Sequence, residues 1–199
     1  MWGLVVAMGK SSNSISKIGV PAPVTSTDNV EGPSTAPVTV VEYGDFQCPA
    51  CSTYSFIVER LFNVASSSVR IVFRHFPLPQ HQNAIAAARV AEAAGNQGKF
   101  WEMYSLLYTN QNDWSEKLPA EAKTVIYGYA QGLGLDMVRL ASDETGTTTI
   151  AKIMAQEEEG QKIGVGHTPT FFVNGKEVNF NTYDEFKTII DAALGSASK

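Results

Sequence analysis

The chain has 199 residues, 15 basic and 20 acidic side chains, a net charge of -5 and an apolar fraction of 44%. That length suits one domain with room for an insertion, and it can bury a core without covalent staples. The basic residues are scattered, with no Lys/Arg run of the kind that neutralises phosphates, so no nucleic-acid partner is expected, and two cysteines are too few for a disulfide scaffold.

Residues 1–9 (MWGLVVAMG) are apolar, but too few to span a bilayer, which takes about 20, and no basic n-region precedes them. They read equally as the outer end of a membrane anchor or as a disordered apolar start. Residues 10–37 are rich in Ser, Thr, Pro, Asn and Gly and contain no aromatic side chain. Such a composition buries too little apolar surface to offset its ordering entropy. Residues 1–37 are therefore expected to be an apolar N-terminus on a flexible linker, a tethered arrangement, with the globular body at 38–195.

The body opens with residues 38–43 (VTVVEY), a β-branched run between Pro37 and Gly44 that predicts a buried strand. Pro49 suits the first turn of a helix, where its missing N–H costs nothing. Residues 51–64 place Tyr54, Ile57, Val58, Leu61 and Phe62 on one helical face. Residues 69–73 (VRIVF) predict a second strand, and a βαβ unit of this size should have parallel strands. Helical periodicity then occupies about 81–164, in segments 83–94, 99–108, 120–130 and 148–162, punctuated by Gly95, Gly98, Gly132 and Gly134. Strand signals return at 170–173 (TFFV), then an Asn174-Gly175 hairpin turn, then 176–179. Residues 182–194 form an amphipathic helix with Thr182 as N-cap, Glu185 completing a capping box and Gly195 beyond its end.

The two cysteines, Cys48 and Cys51, stand three positions apart at the predicted helix start. One turn separates them, so the sulfurs can meet. A structural disulfide closing so small a ring stabilises little. A redox-cycling pair makes physical sense, because a helix N-terminus supplies unpaired N–H groups and positive potential that favour a thiolate. Zinc would need four ligands, and there is no second CxxC; His75, His81 and His167 lack ligand-like spacing. Two inert core cysteines are a further reading, opposed by the proline between them.

The segment Glu42-Tyr-Gly-Asp-Phe-Gln-Cys48-Pro49-Ala50-Cys51, followed much later by His167-Thr168-Pro169-Thr170-Phe171-Phe172-Val173-Asn174-Gly175, resembles the DsbA-like branch of the thioredoxin superfamily. The resemblance runs from about residue 38 to 194. It implies an α/β thioredoxin fold (βαβ…ββα) with an inserted α-helical subdomain, and a thiol:disulfide oxidoreductase with no cofactor or metal beyond the redox-active Cys48–Cys51 disulfide. It further implies that Cys48 forms the mixed disulfide, that Glu42 lies buried beneath the cysteines to exchange a proton with Cys51, and that Pro49 and Ala50 tune the potential. Family oxidases often carry His where this chain has Ala50. Thr168 is expected to offer its backbone to a substrate peptide, with Pro169 in the cis form against the disulfide. The expected setting is extracytoplasmic, with reduced exported proteins as substrates and a membrane quinone-linked protein as reoxidising partner. The same pattern admits a reductase or isomerase, or a non-catalytic peptide-binding module. Asp45 reads as a turn former, Phe100, Trp101, Tyr104 and Tyr108 as core, and residues 157–159 as a solvated helical face; His75, His81 and His167 receive no role.

Overall fold

The computed structural model describes residues 18–197, and the apolar stretch 1–9 lies outside the described residues. The elements in chain order are β1 (Asn29–Glu31), β2 (Val38–Gly44), α1 (Pro49–Ala65), β3 (Val69–His75), α2 (Ala84–Gly95), α3 (Phe100–Thr109), α4 (Pro119–Gly132), α5 (Met137–Thr145), α6 (Thr147–Ile163), β4 (Thr170–Val173), β5 (Lys176–Val178) and α7 (Tyr183–Ala197). They form one sheet in the order β1-β3-β2-β4-β5. The β2–β3 pair is parallel, as the crossover through α1 requires, and the other pairs are antiparallel.

Period-two alternation assigns the two faces of the sheet. Val38, Val40, Val69, Ile71, Phe171 and Val173 pack with Val58 and Leu61 of α1 and Phe186 and Ile190 of α7. Val41, Tyr43, Val72 and Phe172 face the other way, against Phe76 and Val165. Glu42 shares the parity of Val38 and Val40 and is therefore carried to the α1 face. The β4–β5 turn is the expected hairpin: Asn174 (φ 47°) and Gly175 (φ 78°) both have positive φ, the conformation a two-residue turn demands.

Helices α2–α5 share one core with Phe46, Cys48, Cys51 and Phe73, with Ala87, Ala88, Ala91 and Ala94 of α2 beside Met103, Leu107, Ile126 and Leu140. Small side chains let α2 pack against α3, α4, α5 and α6 at once. Sequence periodicity finds four helices here and misses α5. That helix buries only Leu140 and Glu144, too little for a stripe to register. Its one local signal is Asp136, whose carboxylate accepts the backbone N–H groups of Val138 and Arg139 at 2.9 and 3.0 Å.

Three expectations are corrected. The segment expected to be a flexible linker up to Pro37 is laid against the body from residue 18 on: Gly19 N–H donates to the Ile163 carbonyl at 2.6 Å, and β1 pairs with β3. The cause is long-range and ionic. Arg74 on β3 is buried, and it is matched by Asp28 at 3.0 Å, Glu159 at 3.4 Å and the Ala22 carbonyl at 3.0 Å. Glu159 also binds the Tyr43 hydroxyl and the Ala22 N–H, so this part of the face read as solvated is half-buried. Finally, α7 continues through Gly195 to Ala197; at its start Thr182 accepts the Glu185 N–H at 3.2 Å, while Glu185 reaches back to the N–H of Asn181 rather than of Thr182.

Asp28→Ala leaves the buried Arg74 with Glu159 as its remaining carboxylate. The expected cost is about 3 kcal/mol, the low end for breaking a buried pair, read from urea unfolding midpoints at constant slope.

Candidate active site

Cys48 is the residue before α1, extended at φ -72° and ψ 122°, with Pro49 in the first helical position. Its N–H donates to the Asp45 carbonyl at 3.0 Å, and its own carbonyl accepts the first helical bond from Ser52 N–H at 3.2 Å. This start turns the Cys48 sulfur outward and the Cys51 sulfur inward: Cys48 is 7% exposed and Cys51 is 0%. Both thiols are reduced.

Their acidities diverge. The Cys51 thiol donates to the Cys48 sulfur and is the largest cause of a Cys48 pKa lowered to about 5; burial opposes it, and the Thr168 side chain and the N–H groups of Cys51 and Ala50 add to it. Burial pushes Cys51 well above the ordinary thiol value, and the Cys48 thiolate and Glu42 push it further. One sulfur is therefore ionised near neutral pH and the other keeps its proton.

Thr168 and Pro169 come from the far end of the chain. Their peptide bond is cis, and the Cys48 sulfur lies 3.3 Å from the Thr168 carbonyl oxygen, to which it donates only in its protonated form. The β4 ladder begins at Thr170, so the Thr168 backbone stands outside it. A hollow of about 220 Å³ adjoins, walled by Ala50, Tyr54, Pro169, Phe171 and Phe180. His167 stands exposed on its rim, its Nδ1 3.3 Å from the Thr170 hydroxyl.

Glu42 lies in the floor with 0% exposure. Burial raises its carboxyl to about 8, partly opposed by the Tyr104 hydroxyl, which donates to Oε2 at 3.2 Å, and reinforced by Cys48. Gly44 keeps this room open: a Cβ there would come within 2.4 Å of the Phe73 ring and 3.0 Å of Glu42 Oε1.

Residues to which sequence reasoning gives no task clamp the turn before Cys48. Gln111 donates to the carbonyls of Phe46 and Cys48 at 2.7 and 3.0 Å. Gln47 donates to the Ser115 carbonyl at 2.6 Å and accepts the Asn83 N–H at 2.6 Å. Asp45 goes beyond a turn former: its buried carboxylate accepts from Gln47 N–H, Leu78 N–H and His81 Nδ1 at 2.7, 2.8 and 2.7 Å. His75 meets Glu92 at 2.7 Å, away from the sulfurs, and Glu92 also holds Lys152 at 2.7 Å. Apart from the local contact of Asp45 with Gln47, these pairings span 17 to 68 positions of sequence, so no local motif announces them. Among the described residues no group of three or more His, Cys, Asp or Glu side chains could hold a metal ion, and no helix is long and apolar enough to cross a membrane.

An outward, ionised cysteine above an inward, protonated one is a site for thiol–disulfide exchange, and the sheet beneath it has the βαβ…ββα order. A model of the thioredoxin family matches residues 24–192. BdbD of Bacillus subtilis superposes with a TM-score of 0.76 at 26% identity, covering 90% of this chain and 98% of that one. A thioredoxin-like oxidoreductase from Silicibacter pomeroyi DSS-3 superposes at 0.72 with 28% identity over 86% and 94%. Among curated relatives, Na(+)/H(+) antiporter NhaA 1 of Salinispora arenicola is 44% identical over 154 residues, 75% of this chain. The chain spans only 22–24% of the length of the curated relatives it matches. The fold is that of thioredoxin-like proteins, and its cysteine pair has the arrangement that thiol–disulfide exchange requires. The chain belongs to the thioredoxin superfamily, as a DsbA-like member with the helical insertion.

Two outcomes are expected. Cys51→Ala removes the thiol that donates to Cys48 and raises the Cys48 titration midpoint above about 5, read from thiolate absorbance against pH. For Glu42 the folded pKa of about 8 exceeds the ordinary 4.5, so its favourable contribution is complete below pH 4.5 and is lost as pH rises through 8. The reduced Glu42→Gln protein should therefore gain stability relative to the unsubstituted chain across pH 4.5 to 8, by a few kcal/mol, with no further change above.

Proposed function

We propose that this protein forms disulfides in exported proteins outside the cytoplasm, with Cys48–Cys51 as its only redox group and no cofactor or metal. The observation that carries the direction is the stabilised Cys48 thiolate. A thiolate stabilised in the reduced form makes the corresponding disulfide more oxidising.

In the forward reaction a substrate thiolate attacks the Cys48 sulfur of the disulfide. The Cys48–Cys51 bond breaks, a mixed disulfide forms, and Cys51 leaves with the electron pair. Cys51 becomes a thiol by taking a proton from Glu42. A second substrate thiolate attacks the substrate sulfur of the mixed disulfide, and Cys48 departs as the thiolate its surroundings favour. The substrate gains a disulfide and the enzyme holds two more electrons. The Thr168 backbone and Pro169 receive the substrate chain in extended form, and the adjoining hollow takes a side chain next to the reacting cysteine. Pro49 starts α1, and Ala50 supplies no imidazolium to the thiolate, which moderates the oxidant.

Turnover needs an acceptor for those electrons, and a membrane quinone-linked protein fits. In the relatives named Na(+)/H(+) antiporter a stretch like this chain takes up less than a quarter of the length, which supports work at a membrane face. Disulfide formation requires an oxidising compartment, which supports the extracytoplasmic side. Ion transport is not carried over from those relatives.

Equilibration of the Cys48–Cys51 pair in graded glutathione buffers tests the direction. A potential less negative than about -200 mV is expected, whereas one near -270 mV, where thioredoxin lies, would overturn the oxidase reading in favour of reduction. Ala50→His should move the potential upward and the Cys48 titration downward together.

A further inference from the structure

The reaction moves a proton at a place with no direct access to water. Cys51 and Glu42 are both 0% exposed. The two carboxylate oxygens of Glu42 are treated differently: Oε2 accepts from the Tyr104 hydroxyl, and Oε1 is buried with no hydrogen-bond partner. Tyr104 stands on α3, within the helical insertion, and forms part of the wall of a second hollow, about 550 Å³, between α1 and α3. That wall also carries Glu31, Glu59 and Glu102, with the Ser105 hydroxyl donating to Glu59. It shares no lining residue with the hollow beside Cys48, where a substrate chain would lie.

We propose that Tyr104 is a positioning residue that holds Glu42 by Oε2, leaves Oε1 free for the Cys51 proton, and connects the acid to solvent through the hollow between α1 and α3. The inference rests on the reading of Glu42 as the acid–base partner of Cys51. When Cys51 leaves as a thiolate, the O–H bond of Glu42 breaks and the S–H bond forms. The Glu42 carboxylate is then reprotonated across the Tyr104 hydroxyl from solvent in the hollow. Reoxidation runs the same transfers backward, and no electrons move in either. A substrate joined to Cys48 covers the other hollow, so this exit stays open while the mixed disulfide exists.

The groups facing Glu42 are Cys48 and Cys51 from the α1 side and Tyr104 and Tyr108 from α3. Of these, Tyr104 favours the carboxylate and Cys48 disfavours it. In the hollow, burial and then the neighbouring Glu59 and Glu102 raise the Glu31 carboxyl, so Glu31 holds a proton more readily than an isolated carboxylate does.

The test uses the full chain and its Tyr104→Phe, Glu59→Gln and Glu42→Gln variants. Two quantities are followed against pH: the rate at which dithiothreitol reduces the Cys48–Cys51 disulfide, and the infrared band of the protonated Glu42 carboxyl in the reduced protein. Glu42→Gln should lose roughly 10²-fold or more in rate. Tyr104→Phe should move the carboxyl midpoint above about 8 and slow reduction about tenfold, with the Cys48 thiolate titration unmoved. Glu59→Gln should slow reduction and leave both titrations in place. An unchanged pH profile in Tyr104→Phe, with Glu42→Gln impaired, overturns this proposal alone. An unimpaired Glu42→Gln overturns the acid–base role of Glu42 and this proposal with it. If Tyr104→Phe does not fold, Glu59→Gln decides, and an unchanged rate there overturns the exit through the hollow.

Discussion

A single helical turn places two chemically identical thiols in surroundings that pull their acidities apart, and the rest of the structure serves that separation. At the N-terminus of α1, unpaired N–H groups and a donated thiol hydrogen bond stabilise negative charge on Cys48. One turn inward the same helix presses Cys51 against the sheet, where burial penalises charge. The difference survives only if α1 begins at one place and points one way, because a sulfur displaced by a few tenths of an ångström changes its hydrogen bonds before it changes its packing.

Two devices hold the helix start. From the sheet side, β2 delivers the chain to Asp45, and the loop before β4 returns the Thr168–Pro169 pair from more than a hundred residues later to lie against Cys48. From the insertion side, Gln111, Asn83 and the Ser115 carbonyl bind the main chain and side chain of residues 46–48. The insertion is therefore part of the active site although none of its residues is a thiol. Each amide satisfies buried carbonyl or N–H groups that would otherwise be costly, so the clamp stabilises the fold and orients the sulfur at once.

The floor of the site shows a tension of the same kind. Glu42 sits where a strand of this parity would carry an aliphatic side chain, and its neutral form is the favoured one in the reduced protein near neutrality. A carboxyl there lowers stability as pH rises through about 8. Gly44 and Tyr104 are the accommodations: the first makes room for the carboxyl, and the second gives it one partner.

The sequence by itself determined the order of elements other than β1 and α5, the parallel β2–β3 pair, the hairpin turn and the two cysteines at a helix start, because each depends on residues close together in the chain. Val, Ile and Phe alternation reports a strand, Pro49 reports a helix start, and Asn174-Gly175 reports a turn without help from distant contacts. The tertiary structure alone decided what distant partners decide. Residues 18–37, polar enough to read as tether, are ordered because Arg74 is buried and Asp28 meets it. Tyr104 and Gln111, unremarkable on their own helix faces, become neighbours of Glu42 and Cys48 across 62 and 63 positions of chain. Hydrophobic periodicity records which face of an element is buried; it carries no record of which polar group waits on the other side.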